Sequence, residues 1–572
     1  MTRKLKPTRR ALRAPGAALV AAAVMCITPH PALRAQGAPP AQASTRAPTH
    51  PVILAPAIGS DAEDRARLDQ LLGRDSTDGY VIRSLSSRLR LPASDRSLTA
   101  RVLAPELGII DNSTLPFSQN DGALWAARGL SWYAAGGVAL AYGRFRLVLA
   151  PELVSTKNEK FQDVDTRQFY RPIIDPTRYS LDASPWLQHP FPADQPFRRG
   201  EGSITMLDPG QSSLWYEGRH VAAGVSTENQ WWGPGIQNAL IFTNNAGGFP
   251  HAFLRTARPL RTGIGSFEAR WLVGALTESH FFDFDPTNDT RSLSAAAVTY
   301  RPVWSPDLTV SVSRAVFAAA SGPGKALLRW TDVLQPTTRP NSRPWSDTTF
   351  TGGRDQLTAI SARWVFPRAG TEVYGELGRA EWPASLRDLL VDPTHTMGYL
   401  MGAQIARPWE RIDAVWRFQG EFTFLERSNS YRYRPTQSWY TSRAAPQGYT
   451  QRGQMLGASI GPGSSQQWLA VDLVSPTWRG GVFAGRWRLN ADHNAIIPFP
   501  PGTGWCEFDV NLYPGVRAGY RDRRYGVVNA EVMFANRLNY LYQNNSGCPR
   551  GGNMIDVRNT TFRLSVTPVW FR

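Results

Sequence analysis

Between Ser226 and Pro250 the chain reads STENQWWGPGIQNALIFTNNAGGFP, and its residue types are those of a polar clamp. Glu228, Asn229 and Gln230 precede the paired indoles Trp231 and Trp232; the turn Gly233-Pro234-Gly235 follows, and Asn244 and Asn245 stand before two further glycines. Aromatic faces stack on the CH surfaces of sugars while amides and carboxylates satisfy hydroxyls, so the stretch is a candidate carbohydrate contact. The same residues equally suit an inward-folded turn in which the indoles pack and the Gly-Pro-Gly reverses the chain. Both readings stay open until the surrounding elements are placed.

Other candidate chemistry is weaker. GASIG at Gly457–Gly461 has the spacing of a hydrolase nucleophile elbow around Ser459, but that motif needs a strand, a sharp turn and a helix, whereas here it falls in an alternating segment and runs into Pro462. It reads as a small-residue strand. Asp283–Asp289, DFDPTND, gathers oxygen ligands without the glycine and spacing of a calcium loop, and reads as a solvated turn. Glu268 with Arg270, and Asp413 with Arg417 and Glu421, read as paired charges of a polar wall. With no CxxC or HExxH and eight dispersed histidines, neither a metal nor a cofactor is expected. No catalytic residue is assigned.

The elements that must carry these residues begin after a leader. Residues 1–35 have a basic start (Arg3, Lys4, Lys6, Arg9, Arg10, Arg13), an apolar run from Ala17 to Ile27 too short to span as a helix, and a cleavage point after Ala35, the pattern of an export signal. Removing its seven basic residues takes the formal charge from +17 to +10. Arginine is then scattered singly and lysine is sparse, which argues against a nucleic-acid track. Outside the leader only Cys506 and Cys548 remain, and in an oxidising compartment they most simply pair.

Residues 36–120 are expected to hold a linker and short helices: Asp61–Leu72, stopped by Gly73, and Val81–Leu91, stopped by Pro92. From 121 to 572 the apolar period is two. Phe267, Trp271 and Val273 alternate with Glu268 and Arg270; Ile412, Ala414, Trp416, Phe418, Phe422 and Phe424 alternate with Asp413, Arg417, Gln419 and Glu421; and Phe562, Leu564 and Val566 alternate with Arg563 and Ser565 ahead of Trp570 and Phe571. At about ten residues per segment, ~16–18 antiparallel strands fit. An all-β transmembrane barrel with a small N-terminal α-helical region accounts for an apolar face towards lipid, a charged face towards a lumen and no free edges. The polar, aromatic loops at Lys157–Gly200, Ser321–Arg354 and Asn429–Arg452 are where recognition is expected.

The central motif also carries a family resemblance. STENQWWGPG at Ser226–Gly235, FTNNAGGFPH at Phe242–His251, TARPL at Thr256–Leu260, GALTESHFF at Gly274–Phe282 and the upstream LDPGQSSLWYEGRHVAAGVS at Leu207–Ser226 resemble the Wzi-type capsule assembly proteins. The resemblance implies an outer-membrane barrel of about 18 strands with a small periplasmic helical bundle, acting as a non-enzymatic, lectin-like protein that fastens capsular or other extracellular polysaccharide to the cell surface. Its expected partners are that polysaccharide and outer-membrane lipid. The competing expectation is a porin for polar or anionic solutes, with arginine and acidic side chains lining an open lumen.

Overall fold

The computed structural model describes residues 52–76, 80–89, 91, 94–162, 193–336, 353–383, 385–434, 437–492, 506, 508–522, 524–543, 548–549 and 556–569. The leader at 1–35, the terminal Trp570 and Phe571, and the loop aromatics Tyr170, Tyr179, Trp186 and Phe191 lie outside these residues.

Eighteen antiparallel strands close on themselves. They are β1 (Ser94–Asn112), β2 (Gly129–Gly143), β3 (Phe145–Leu149 and Glu152–Thr156), β4 (Ile204–Asp208 and Ser213–Glu217), β5 (Val221–Ser226) and β6 (His251–Thr256 and Leu260–Thr262). Then follow β7 (Gly265–Thr277), β8 (Thr290–Pro302), β9 (Leu308–Ala320), β10 (Arg354–Phe366), β11 (Thr371–Ala380) and β12 (Met397–Trp409). The circle is completed by β13 (Ala414–Phe424), β14 (Ser465–Val474), β15 (Trp478–Leu489), β16 (Asp509–Asp522), β17 (Gly526–Leu538) and β18 (Val557–Pro568). The seam pairs β18 with β1, from Thr561 opposite Asn112 to Val566 opposite Leu107. Below it, the free edge of β1 is covered by Val52–Ile53 in parallel register with Val102 and Leu103.

The period of two fixes which side chains meet lipid. Val312, Ile360, Leu377, Met401, Phe418, Leu469 and Val516 are exposed on the outer face, whereas Arg363, Glu372, Arg417, Glu421 and Asp472 are buried in the lumen. One end has short connections such as Pro367–Ala369 with Gly370, and Glu410–Ile412 with Asp413, where the left-handed residue after a 3-10 turn reverses the strand. Exposed aromatics gather at this end, including Tyr142, Phe145, Tyr216, Trp364, Phe366, Trp409, Tyr520 and Tyr525. Such rings mark a membrane interface. All long connections leave from the opposite end.

Several sequence expectations shift. The wall starts at Ser94, well before residue 121, because β1 belongs to the closing seam. Helix α1 (Asp61–Leu71) forms as expected, with Ser60 accepting from Glu63 N at 3.2 Å and acidic residues in its first turn. The second helix is reduced to one turn, α2 (Leu85–Arg88), because Ile82 and Arg83 are extended and pair with Trp232 and Trp231. Ile412 and Asp413 occupy a turn, not a strand face. The segment around GASIG is no wall strand either: only Thr450–Gln451 and Gln454–Met455 pair there, as a small hairpin inside the barrel.

Candidate functional site

Two groups of segments enter the lumen and meet. From the short-turn end come α1 and α2; from the long-loop end come residues 113–128, 227–250 and 437–464. Helix α1 is held by charge. Arg67 pairs with Glu372 of β11 and donates to Pro234 O at 2.7 Å; Asp64 accepts from Arg417 of β13 at 2.7 and 3.0 Å; and Arg363 of β10 donates to Gln70 at 2.8 Å. Burial pushes the Asp64 carboxyl up, but Arg417, with Arg479 and Arg517 behind it, holds it well below the usual carboxylate range. Leu68 and Leu71 pack on Val365, Ala406, Val415 and Val474 at the foot of the wall. A helix buried on a polar face as well as an apolar one needs a polar container, and the lumen supplies it.

The stretch from Ser226 to Pro250 is the clasp between the two groups. Glu228, fully buried, accepts from Ser86 N (2.7 Å), Ser86 Oγ (2.6 Å) and Arg270 Nη2 (2.8 Å). Burial raises its pKa, yet Arg270 and Ser86 outweigh that effect and hold the carboxyl below its ordinary value. Trp231 and Trp232 pair with Arg83 and Ile82 and are 4% and 2% exposed; the Arg83 guanidinium lies 4.9 Å from the Trp231 ring centroid, and Phe242 packs edge-on against Trp232 at 4.8 Å. Gly233 sits at φ 144°, where a Cβ would lie 2.0 Å from Glu376 Oε1, so only glycine fits. The chain after Gly235 then presents three successive N–H groups, of Ile236, Gln237 and Asn238, to the Glu421 carboxylate at 2.5, 3.1 and 2.8 Å.

Asn229 bonds to Asn244, whose amide donates to Asn120 O at 3.1 Å, while Asn245 donates to Met455 O at 3.1 Å. Buried Gln230 donates to Glu228 O at 3.4 Å. The seven polar and aromatic residues singled out from the sequence are therefore brought together, but as a packed brace with neither indole face open to a sugar. The wall carboxylates that complete the brace, Glu372, Glu376 and Glu421, lie far away in sequence; their inward parity was the available signal.

An open site lies at the long-loop end. A cleft of ≈ 750 Å³ has Trp125, Phe281, Phe284 and Met206 among its apolar walls. Its polar groups include Glu278, Asp283, Asp289 and Arg199. The Arg199 guanidinium lies 4.7 Å from the Trp125 ring centroid and donates to Gly453 O at 2.9 Å; burial pulls its pKa down to about 10. Burial, with a bond from Gln447 opposing it and Asp283 and Asp194 adding to it, pushes the Glu278 carboxyl up to about 8. Asp285 in the same rim accepts from Thr287 N (3.0 Å) and Oγ1 (2.6 Å), so DFDPTND is a self-bonded turn. Among the described residues no cluster of His, Cys, Asp and Glu could hold a metal ion. Ser459, buried, donates from both N and Oγ to Asn238 Oδ1 at 3.0 Å and serves as a brace. Cys506 and Cys548 form a disulfide, Cα–Cα 4.6 Å, tying the β15–β16 and β17–β18 connections together at the same end.

A closed wall with an apolar belt, an aromatic girdle and a packed lumen defines an outer-membrane β-barrel whose interior is filled by its own chain. The family model for the capsule assembly protein Wzi matches residues 138–472, more than half of the chain, and the protein belongs to that family. Among solved structures it is similar to Wzi of Escherichia coli, described as an outer-membrane protein involved in group 1 capsule assembly and a carbohydrate-binding β-barrel, with 13% identity over 81% of this chain and 84% of that one and a TM-score of 0.48. OccAB2 of Acinetobacter baumannii (10% identity, 81% and 97% covered, TM-score 0.38) and OprD of Pseudomonas aeruginosa (8%, 82% and 93%, 0.34) are also similar. No curated protein matches the chain by sequence.

Proposed function

We propose that the protein is a non-enzymatic, lectin-like anchor, exported by the leader at 1–35, that holds capsular or other extracellular polysaccharide at the cell surface. The observation that carries this reading is the cleft at the long-loop end: Trp125, Phe281 and Phe284 line it beside carboxylates and Arg199, above a lumen packed with the chain's own segments, in a member of a capsule assembly family. Rings with adjacent polar groups are the chemistry of sugar recognition. A long polymer meets many copies of such a site, so modest individual contacts add up through effective concentration. Residues 228–232, 244 and 245 act as the brace beneath, and Ser459, engaged by Asn238, has no acid–base partner among its described contacts.

Deleting the protein is expected to release polymer into the medium without lowering its synthesis, measured as cell-bound against free polysaccharide. Unchanged retention would remove the anchoring reading. In planar bilayers the purified barrel is expected to stay closed, because Arg270, Glu372, Glu376, Glu421 and Gln466 all contact the inner segments across the lumen. Steady large conductance would return the protein to the porin class.

A further inference from the structure

Beside the cleft the wall formed by the described residues is incomplete. Strands β5 and β6 both end at the pair Ser226–His251, where the chain turns into the lumen and returns. Their neighbours continue. Ser213 of β4 is level with Ser226, so among the described residues the upper piece of β4, Ile204–Asp208, is paired only on its β3 side; Gly274 of β7 is level with His251, so Ala275–Thr277 also rise beyond the last pair. Two strands missing between β4 and β7 leave a notch three strand spacings wide, roughly 14 Å.

The tip of the inner hairpin crosses this notch from within. Arg452 N donates to Thr277 O at 2.9 Å, Thr277 N donates to Gln451 Oε1 at 2.9 Å, and the Arg452 guanidinium pairs with Asp208 on the opposite edge. Ile204, Met206 and Asp208 on one edge, and Thr277 and Glu278 on the other, line the cleft, so cleft and notch are one opening.

Outside, the rim is apolar. Leu207, on the edge strand between the inward Met206 and Asp208, is 71% exposed, and Val225 and Leu254 below the notch are exposed as well. Across the notch, the outward positions Val273 and Ala275 of β7, Ser292 and Ser294 of β8 and Val316 of β9 are buried on what is elsewhere the lipid face. Residues 321–336 cover them, folded back along the outer wall through α3 (Pro323–Leu327). Trp330 O accepts from Trp271 Nε1 (3.3 Å) and Ser294 Oγ (2.9 Å), and Val333 O accepts from Arg314 (2.9 Å). This shelf exposes Leu327, Leu328 and Leu334, and the half-exposed Trp330 packs edge-on against Trp271 at 6.1 Å. Exposed apolar area continuous with a lipid-facing belt marks a surface that meets acyl chains.

A sugar-type cleft, a sideways opening at the belt and an apolar shelf next to it fit one kind of ligand. We infer that the cleft takes glycan that is carried on a lipid anchor in the outer leaflet, the sugar passing through the notch onto Phe281 and Phe284 while the acyl chains lie against Leu207 and the shelf. This rests on the polysaccharide-anchoring reading and names the form in which the glycan arrives. Free polymer ends entering from above are the alternative that the test must separate.

The test uses full-length protein in phosphatidylethanolamine vesicles, with a photo-crosslinking side chain at Leu207 or Phe284 and a control at Leu469 on the far wall. The probes are the phenol-extracted glycolipid of the encapsulated cell and the same glycan freed from lipid by mild acid. The lipid-linked probe is expected to cross-link at 207 and 284 and not at 469. Leu328→Asp with Leu334→Asp, both at exposed positions, are expected to reduce that yield about tenfold, the share of roughly one buried leucine. Ile204→Trp, which fills the cleft, is expected to abolish it while heat-modifiable gel mobility shows the barrel folded. Equal cross-linking by the freed glycan, or equal labelling at 469, overturns sideways access but leaves polysaccharide anchoring in place. If neither probe nor free capsular polysaccharide binds the unmodified protein, the anchoring reading falls as well.

Discussion

Replacing Glu421 by alanine tests whether the clasp holds the lumen shut. The carboxylate accepts from Ile236 N, Gln237 N, Asn238 N and the Tyr374 hydroxyl, and all four groups are at least partly enclosed. A stranded buried donor costs about 1–3 kcal/mol, and water entering the vacated space recovers part of it, so three backbone donors together make a cost of about 4 kcal/mol. The loss falls on the inner segments, because the wall keeps its strand-to-strand hydrogen bonds. At ~1.4 kcal/mol per factor of ten, the open population of residues 234–242 rises roughly 10³-fold. Hydrogen–deuterium exchange by mass spectrometry reads this directly, with residues 465–474 of β14 as an internal standard. Glu421→Gln, which keeps one acceptor oxygen, is expected to lie between the two. If Glu421→Ala folds and exchanges at 234–242 as slowly as the parent, the carboxylate does not hold the clasp.

Other outcomes follow from single contacts. Cys506→Ser with Cys548→Ser opens a staple of 42-residue separation, for which the chain-entropy model gives about 4 kcal/mol; proteinase K is expected to cut the β15–β16 or β17–β18 connection while the wall stays intact, and an unchanged digest would assign the disulfide no such role. Glu278 titrates at about 8 when folded against an ordinary 4.5, so its neutral form favours the closed rim: protection of residues 278–289 is expected to be full below pH 4.5 and to fall as pH rises through 8, and Glu278→Gln should flatten the profile. Ser459→Ala removes one of two bonds to Asn238, worth about 1 kcal/mol, and should leave p-nitrophenyl ester turnover at the blank rate in both proteins. Turnover by the parent that the variant loses would make the protein an enzyme.

The barrel was legible because lipid and lumen impose one rule on every strand. Arg417, Gln419 and Glu421 point inward and Phe418 outward as the alternation in sequence requires. The brace was legible only as an odd composition. Nothing near Glu228 announces Arg270 or Ser86, and nothing near Gly235 announces Glu421, since Arg270 and Glu421 arrive through closure of the wall and Ser86 through the seating of α2 inside it. Val81–Leu91 misled for a related reason: its local pattern is helical, but pairing of Ile82 and Arg83 with the two tryptophans outweighs it. Of the cleft, the sequence showed the DFDPTND turn and two of the loops that supply Arg199 and Arg452, but not their meeting, because Trp125, Arg199, Phe281 and Gln454 converge from four separate connections.

The clasp also sets an order of events in assembly. Helix α1 and the Ile82–Arg83 strand leave the ribosome ahead of every wall strand, yet their partners are Glu372, Arg417 and Trp231, which reach their places only when the middle of the sheet has formed. Until then Arg67, Asp64 and Arg83 stay hydrated, and nothing favours burying them. These N-terminal segments are therefore among the last to settle. Such sequence-distant contacts slow maturation, and a folding intermediate with a formed wall and an unseated N-terminal segment would be leaky to small solutes until the two tryptophans find their strand.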